Sequence, residues 1–410
     1  MRSDGLAEIL KSKMVWICAL GYLVDIYDLV LFGVVRVPSL RDLGIQDGDL
    51  QSVGAHILNY QMAGMLIGGF VWGLLGDKIG RVRILFASIA TYSLANLLNA
   101  LAFNIEIYSA LRFLAGFGLA GELGIALTLV AEILPQNKRG YGTTIVGLAG
   151  FIGAIIASFT ATLVTWRISY VLGGALGFFL LFLRLRSQES PLFSSINEVP
   201  THFRGSLVQL FSSRERILNY FKIIMVGIPI WYISGILMYF APEFAKSLGI
   251  TGPVLAGYAI LWNYSGAAIG DISSGVISQI LQSRKRVILI FLGILMLVLP
   301  TYFVWLRGAE PFCFYLVCFL FGVGNGYWAL AIGVAAELFG TNLRATVSTS
   351  VPNLIRGAVI PMIFVFQFLK SRFGDLQGAF ILGAAVILVA GICLISIEET
   401  FRRDLNFIEK

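Results

Sequence analysis

Apolar runs of about 20 residues, separated by short polar breaks, recur along the whole chain. About 20 apolar residues are what a helix needs to cross the hydrocarbon core of a bilayer. The pattern predicts twelve spanning helices, at roughly 14–36, 51–75, 82–103, 107–133, 141–165, 168–186, 217–246, 253–281, 286–306, 311–339, 344–371 and 376–397. One hydrophilic stretch, 187–216, is longer than the other breaks. It divides the chain into a first six-helix half (1–186), a central loop (187–216), a second six-helix half (217–397) and a tail (398–410). The predicted fold is therefore an all-α membrane protein in two six-helix pseudo-symmetric halves.

An internal repeat agrees with that division. Glu132 stands seven residues before Arg139, and Glu337 seven before Arg344. Both pairs are offset by 205 residues (337 − 132 and 344 − 139) in a chain of 410. Each copy sits at the end of a long apolar run. Duplication of a helical unit is typical of secondary transporters.

Composition sets the solvent. The chain is 58% hydrophobic and 13% charged, with a mean hydropathy of +0.85. A soluble domain carries about 25% charged residues, so the solvent is lipid. The first thirteen residues are polar and hold Arg2, Lys11 and Lys13, which does not match a cleavable leader. Cys18, Cys313, Cys318 and Cys393 all fall in apolar runs without metal spacing and are expected to be inert.

The net charge of +7 first raises the question of nucleic acid, but the location of the basic residues answers it. Of the 30 Lys and Arg, about 21 lie at the N-terminus, in the even-to-odd loops and at the C-terminus. About seven lie on the other side, and Arg112 and Arg356 fall inside spans. Such a bias puts both termini in the cytoplasm. The excess charge is a topology signal, and no nucleic-acid partner is expected.

The loop between the second and third spans reads Gly73-Leu74-Leu75-Gly76-Asp77-Lys78-Ile79-Gly80-Arg81-Val82-Arg83. An Asp here can cap a neighbouring helix, and the arginines can pair with acids on the same side. The string resembles the signature loop of the major facilitator superfamily. The twelve spans, the central loop and the paired Glu/Arg signature extend that resemblance over the whole chain. It implies a cytoplasmic gate at Asp77 and Arg81. It also implies links between neighbouring helices at Glu132, Arg139, Glu337 and Arg344, as in sugar-porter-like members. The second half departs from the pattern, because Ser278 or Gln279 stands where an Asp is expected, ahead of Arg284-Lys285-Arg286.

The chemistry is concentrated in charges inside the spans. Asp25 and Asp28 lie midway along the first span, three residues apart and nearly on one face. A charge facing lipid at the bilayer centre costs about 2.5–3.5 kcal/mol, so both must face a cavity, a cation or a proton. Arg112 and Glu122 lie in the fourth span, Asp271 in the eighth and Arg356 in the eleventh, between Pro352 and Pro361. An ion pair between Asp28 and Arg112 fits their depths. Asp25 and Glu122 both fall near mid-depth. Acids outnumber bases by two, and an unpaired buried acid can bind and release protons. Arg does not titrate but forks onto carboxylates. Proton coupling is thus expected at Asp25, Asp28 and Glu122 with Arg112. Substrate binding is expected at Arg356 with Tyr27, Tyr60, Gln61, Tyr232, Asn263, Asn325 and Trp328. Asp271 reads equally well as a tie between helices, and His56 as a core histidine.

Asp25-Ile26-Tyr27-Asp28 resembles the Asp-Gly-aromatic-Asp signature of aromatic acid:proton symporters and related nicotinate transporters, departing at Ile26. Arg356-Gly357-Ala358-Val359-Ile360-Pro361 occupies the place of the helix-eleven Arg of organic-anion members. The resemblance implies a proton-coupled symporter of a small organic anion, a carboxylate and possibly aromatic, that works by alternating access in the cell membrane. The alternatives are a proton-coupled multidrug or metabolite exporter and a sugar-type uptake carrier. An enzyme is not expected, since two histidines and scattered cysteines form no metal or nucleophile constellation. No cofactor is expected beyond the proton as coupling ion, and a monomer is the expected state.

Overall fold

The computed structural model of the chain describes residues 12–79, 81–134, 139–184 and 210–401. Most of the predicted central loop and the tail beyond 401 lie outside the described residues. The described residues are helical, with short turns. The first half holds α1 (Lys13–Asp42), α2 (Leu50–Ile79), α3 (Arg81–Asn99), α4 (Ile105–Leu119), α5 (Glu122–Ile133), α6 (Arg139–Leu163) and α7 (Trp166–Arg184). The second half begins with α8 (Arg214–Tyr232), α9 (Ala241–Leu248), α10 (Ala256–Leu281) and α11 (Arg284–Pro300). It continues with α12 (Pro311–Asn325), α13 (Trp328–Leu338), α14 (Thr341–Gly357), α15 (Val359–Phe373) and α16 (Asp375–Ile395).

These helices account for the twelve predicted spans. Eight spans among the described residues are long and apolar enough to cross a membrane by length and composition. Large apolar side chains such as Leu163 and Trp305 stay 80% exposed, as expected where the surroundings are lipid. The chain is a multi-pass membrane protein.

Some predicted single helices are interrupted. The fourth span breaks at Ala120–Gly121 and the tenth at Gly326–Tyr327. The seventh passes through a π-turn at Ile233–Leu237, after Pro229, before α9 begins. The eleventh breaks at Ala358, since Pro361 has no N–H to offer the Gly357 carbonyl one turn back.

Contacts group the described residues into two compact units. The first holds α1 to Phe32, Val37–Gln46, and the chain from His56 through α7. The second holds Gly33–Arg36, Asp47–Ala55, and α8 onward.

Each unit is built on a close helix pair made possible by glycine. In the first unit a Cβ added to Gly64, Gly68 or Gly116 would lie 2.0 Å from Phe113 O, 2.3 Å from Phe117 O or 2.1 Å from Gln61 O. The α2 and α4 backbones are therefore in contact. In the second unit Gly266, Gly270 and Gly322 bring α10 against α12 in the same way. Their added Cβ atoms would lie 2.1, 2.3 and 1.9 Å from Phe319 O, Val323 O and Asn263 O. The offsets are constant along each helix, 202 (266 − 64) and 206 (322 − 116). Small residues at helix crossings are how membrane helices gain packing without a hydrophobic effect between them.

Candidate functional site

In the first unit, α1 buries both Asp25 and Asp28 completely. Gly173 of α7 leaves room for the second, because a Cβ there would lie 2.4 Å from Asp28 Oδ1. Arg112, one turn along α4 from Tyr108, is also fully buried. The expected Asp28–Arg112 ion pair is not formed. Arg112 Nη2 donates instead to Asn96 Oδ1 at 2.6 Å, and its guanidinium sits 4.8 Å from the Tyr170 ring centroid. Asn96 and the Arg112 charge both face Asp28. Neither Asp28 oxygen has a hydrogen-bond partner among the described residues, and the same holds for Arg112 Nε and Nη1.

Glu122 differs from expectation. It has a partner, Arg184 at the end of α7, in a two-pronged pair with Nη2–Oε1 at 2.6 Å and Nη1–Oε2 at 3.2 Å. Arg184 Nη2 also donates to Ile17 O at 3.3 Å. Gly21 admits this pair to α1, since a Cβ there would lie 2.1 Å from Glu122 Oε1 and 2.2 Å from Arg184 Nη2. Glu122 thus meets α1 one turn before Asp25. As the first residue of α5, Glu122 is also favourably placed at the positive end of that helix. Arg184 and Arg36 stand at the ends of the predicted spans 168–186 and 14–36, so neither was counted among the charges inside the spans. Arg36 is buried in the second unit, donating to Leu50 O, Tyr239 O and Glu243 Oε2 at 2.9, 3.0 and 2.7 Å.

The remaining first-unit candidates differ from one another. Tyr27 is buried, and its hydroxyl donates to Ser169 O at 3.0 Å. Gln61 donates to Leu29 O at 3.1 Å. Tyr60 is 42% exposed and lies 4.9 Å from the ring of His56, which is exposed and not a core histidine.

In the second unit, Arg356 occupies the last turn of α14, where the helix dipole favours a cation. It is 1% exposed, and its guanidinium lies 5.8 Å from the Trp231 ring centroid. Its Nε has no hydrogen-bond partner among the described residues. Asp271 does not pair with it. Asp271 Oδ1 accepts the Ala329 N–H at 3.0 Å, capping the first turn of α13 after the break.

Ser234, in the π-turn, donates to Asn263 Oδ1 at 3.4 Å and accepts from Asn325 Nδ2 at 3.3 Å. Asn263 Nδ2 reaches Cys318 O at 3.2 Å. The structure thus brings Asn263 and Asn325 together through a serine that the sequence did not single out. Tyr232 is tied to Ala379 O at 2.6 Å, and Trp328 begins α13, half-buried.

Of the predicted gating residues, Glu337 is described. Its Oε1 lies 3.4 Å from Arg284 Nη2, and its Oε2 accepts from the Thr400 hydroxyl at 2.6 Å. The backbones of Asp77, Arg81, Glu132, Arg139 and Arg344 are helical, but their side chains lie outside the described residues. An acid from further along the chain caps the helix that follows the second-half loop. Glu399 accepts the Ser283 hydroxyl and the backbone N–H groups of Arg284 and Lys285 at 2.9 and 3.3 Å, at the N-terminus of α11. Burial pushes the Glu399 carboxyl up, but these bonds and the Phe401 N–H outweigh it and hold the group below its ordinary value of 4.5. A lowered folded-state pKa stabilises above the unfolded value, and the contribution is lost as pH falls through the folded one. The amide protection factors in the first turn of α11, exchange rates taken relative to the intrinsic rate at each pH, are therefore expected to fall on acidification below the ordinary glutamate range. Glu399→Gln should lower them already at neutral pH.

Two interrupted, glycine-packed helical bundles with buried charges inside their spans define a polytopic membrane protein of the major facilitator class. The Major Facilitator Superfamily profile matches residues 18–360, and the chain belongs to that family. The chain is 28% identical over 165 residues to the niacin transporter NiaP of Acinetobacter baylyi, covering 39% of this chain and 37% of that one. It is 25% identical over 407 residues to the gentisate transporter of Corynebacterium glutamicum, covering 92% and 86%. The chain thus spans well under two thirds of the niacin transporter. Among solved structures, a D-xylose–proton symporter superposes with a TM-score of 0.73 at 15% identity, over 95% of this chain and 98% of that one. At that identity the likeness is one of fold.

Proposed function

We propose that this protein is a secondary transporter and not an enzyme, moving a small organic anion, an aromatic carboxylate in particular, together with protons by alternating access. Both termini face the cytoplasm of a cell membrane, the protein acts as a monomer, and no cofactor is needed beyond the coupling proton. Arg356 carries the reading. A guanidinium that is 1% exposed and keeps an unbonded Nε is costly unless a ligand satisfies it. A carboxylate matches its fork. Relatives named for niacin and gentisate, both aromatic acids, support that substrate class. Asp28, buried without a bonded partner among the described residues, is the group suited to take up the proton.

The test is uptake of radiolabelled nicotinate and gentisate into proteoliposomes, with and without an acidic exterior. The gradient should accelerate uptake. Arg356→Ala should weaken binding about 10- to 100-fold, the loss of a charge-assisted hydrogen bond. Uptake indifferent to the gradient removes the coupling, and unchanged affinity in Arg356→Ala removes the anion site. Uptake of D-xylose alone would point to the sugar-type carrier.

A further inference from the structure

Above the Arg112 guanidinium the first unit holds a line of hydroxyls that the coupling step does not yet use. The Tyr170 and Tyr108 oxygens are 2.7 Å apart, and Tyr108 donates to Ser39 Oγ at 3.2 Å. All three residues are fully buried and come from three elements, α7, α4 and α1. Ser39 lies one turn before Asp42, whose half-exposed carboxylate takes Arg167 at 3.1 Å at the end of α1. The other end of the line is Tyr170, under Arg112 and one turn from Gly173, which faces Asp28. Ser39 and Asp28 are eleven residues apart on α1, about 16 Å along the helix.

We infer that Ser39, Tyr108 and Tyr170 are positioning residues of a proton path from the Asp42 end of the first unit to Asp28. The inference rests on the coupling role proposed for Asp28. No hydrogen bond joins Tyr170 to Asp28 among the described residues, and the polar groups beside the two are complementary. Arg112 Nε and Nη1 are donors without a bonded partner, and both Asp28 oxygens are acceptors without one, among the described residues. A water with donors on one side and acceptors on the other satisfies both sets.

The step then balances. With the hydroxyls turned to donate toward Asp28, a hydronium at the Asp42 end gives a proton to Ser39 Oγ and is left as water, and Ser39 gives its own to Tyr108 Oη. The orientation seen, Tyr108 donating to Ser39, is the one the line holds after a transfer. Tyr108 passes one to Tyr170 Oη, and Tyr170 passes one through the water to Asp28. Each oxygen gains one proton and loses one, Asp28 ends neutral, and rotation of the hydroxyls resets the line. The groups facing Asp28 are Arg112 from α4, Asn96 and Tyr92 from α3, Tyr27 beside it on α1, and Tyr170 from α7. The Asp28 charge offsets that of Arg112, which would otherwise repel the incoming proton.

The deciding experiment does not depend on knowing the substrate. Infrared films of the full-length protein in lipid at acid pH are moved into D2O, and the Asp28→Asn difference spectrum isolates the Asp28 carboxyl band. Tyr108→Phe and Tyr170→Phe keep the rings and remove the hydroxyls. Exchange of that band is expected to slow at least about tenfold in each variant. If the hydroxyls only tie helices together, the variants loosen the fold and exchange becomes equal or faster, which overturns the path. Absence of an Asp28 carboxyl band in the wild type also overturns it. In parallel, a pH dye inside proteoliposomes reads gentisate-driven proton entry. Wild-type uptake without proton entry defeats the coupling proposal, whereas slow proton entry with unchanged gentisate affinity in the two variants supports the path.

Discussion

Glu122→Gln is expected to destabilise the protein by about 3–5 kcal/mol, because it leaves Arg184 charged and buried without its carboxylate. Unfolding in detergent, followed by intrinsic fluorescence, reads the change. Glu122→Leu combined with Arg184→Met should recover most of the loss, since a packed apolar pair carries no desolvation cost. Gly21→Ala should reproduce part of the effect with both charges in place, because its Cβ would intrude on both partners. Wild-type stability in Glu122→Gln would mean that the pair contributes nothing, and Glu122 would return to the candidates for proton binding.

Gly116→Leu is expected to cost about 3 kcal/mol or more and to remove most of the monodisperse protein from a size-exclusion profile. The obstacle is backbone, Gln61 O at 2.1 Å from the added Cβ, so no rotamer relieves it. Gly147→Leu is the control. It has nothing within 4 Å of its added Cβ and should stay within about 0.5 kcal/mol of wild type. Equal behaviour of the two variants would show that the α2–α4 contact does not limit folding. The repeat predicts that Gly322 responds like Gly116.

The helices were legible in the sequence because of the solvent. Lipid offers the backbone no hydrogen bonds, so each crossing must satisfy its own as a helix, and apolar length alone locates it. The interruptions were less legible. Pro361 marks the break at Ala358, but nothing local marks Gly121, which packs against the Ser88 and Trp72 side chains, or Gly326, whose added Cβ would lie 2.2 Å from the Gly270 backbone. The cost of buried charge was also legible, and Asp25, Asp28, Arg112, Glu122 and Arg356 are all buried. Their partners were not. Glu122 finds Arg184 across 62 residues, and Arg112 turns to Asn96 in place of Asp28. The Tyr27 and Tyr232 hydroxyls and Gln61 Nε2, expected at a cavity, donate to backbone carbonyls, while Gln61 Oε1 keeps no bonded partner among the described residues. The acid that caps the helix after the second-half loop is Glu399, more than a hundred residues further on.

From the sequence alone come the family, the number of spans, the twofold repeat and the presence of costly charges. The family comes from the resemblance of the Gly73–Arg83 loop and the paired Glu/Arg signature, and the rest from local quantities: apolar length, periodicity, or a charge where lipid should be. Tertiary structure alone decides which charges neutralise one another and which keep unbonded atoms. Pairing depends on distances of a few ångströms between helices remote in sequence, and those distances are set by glycines that let backbones touch. For this protein that decision separates Glu122, held by Arg184, from Asp28 and Arg356, which keep buried polar atoms without a bonded partner among the described residues.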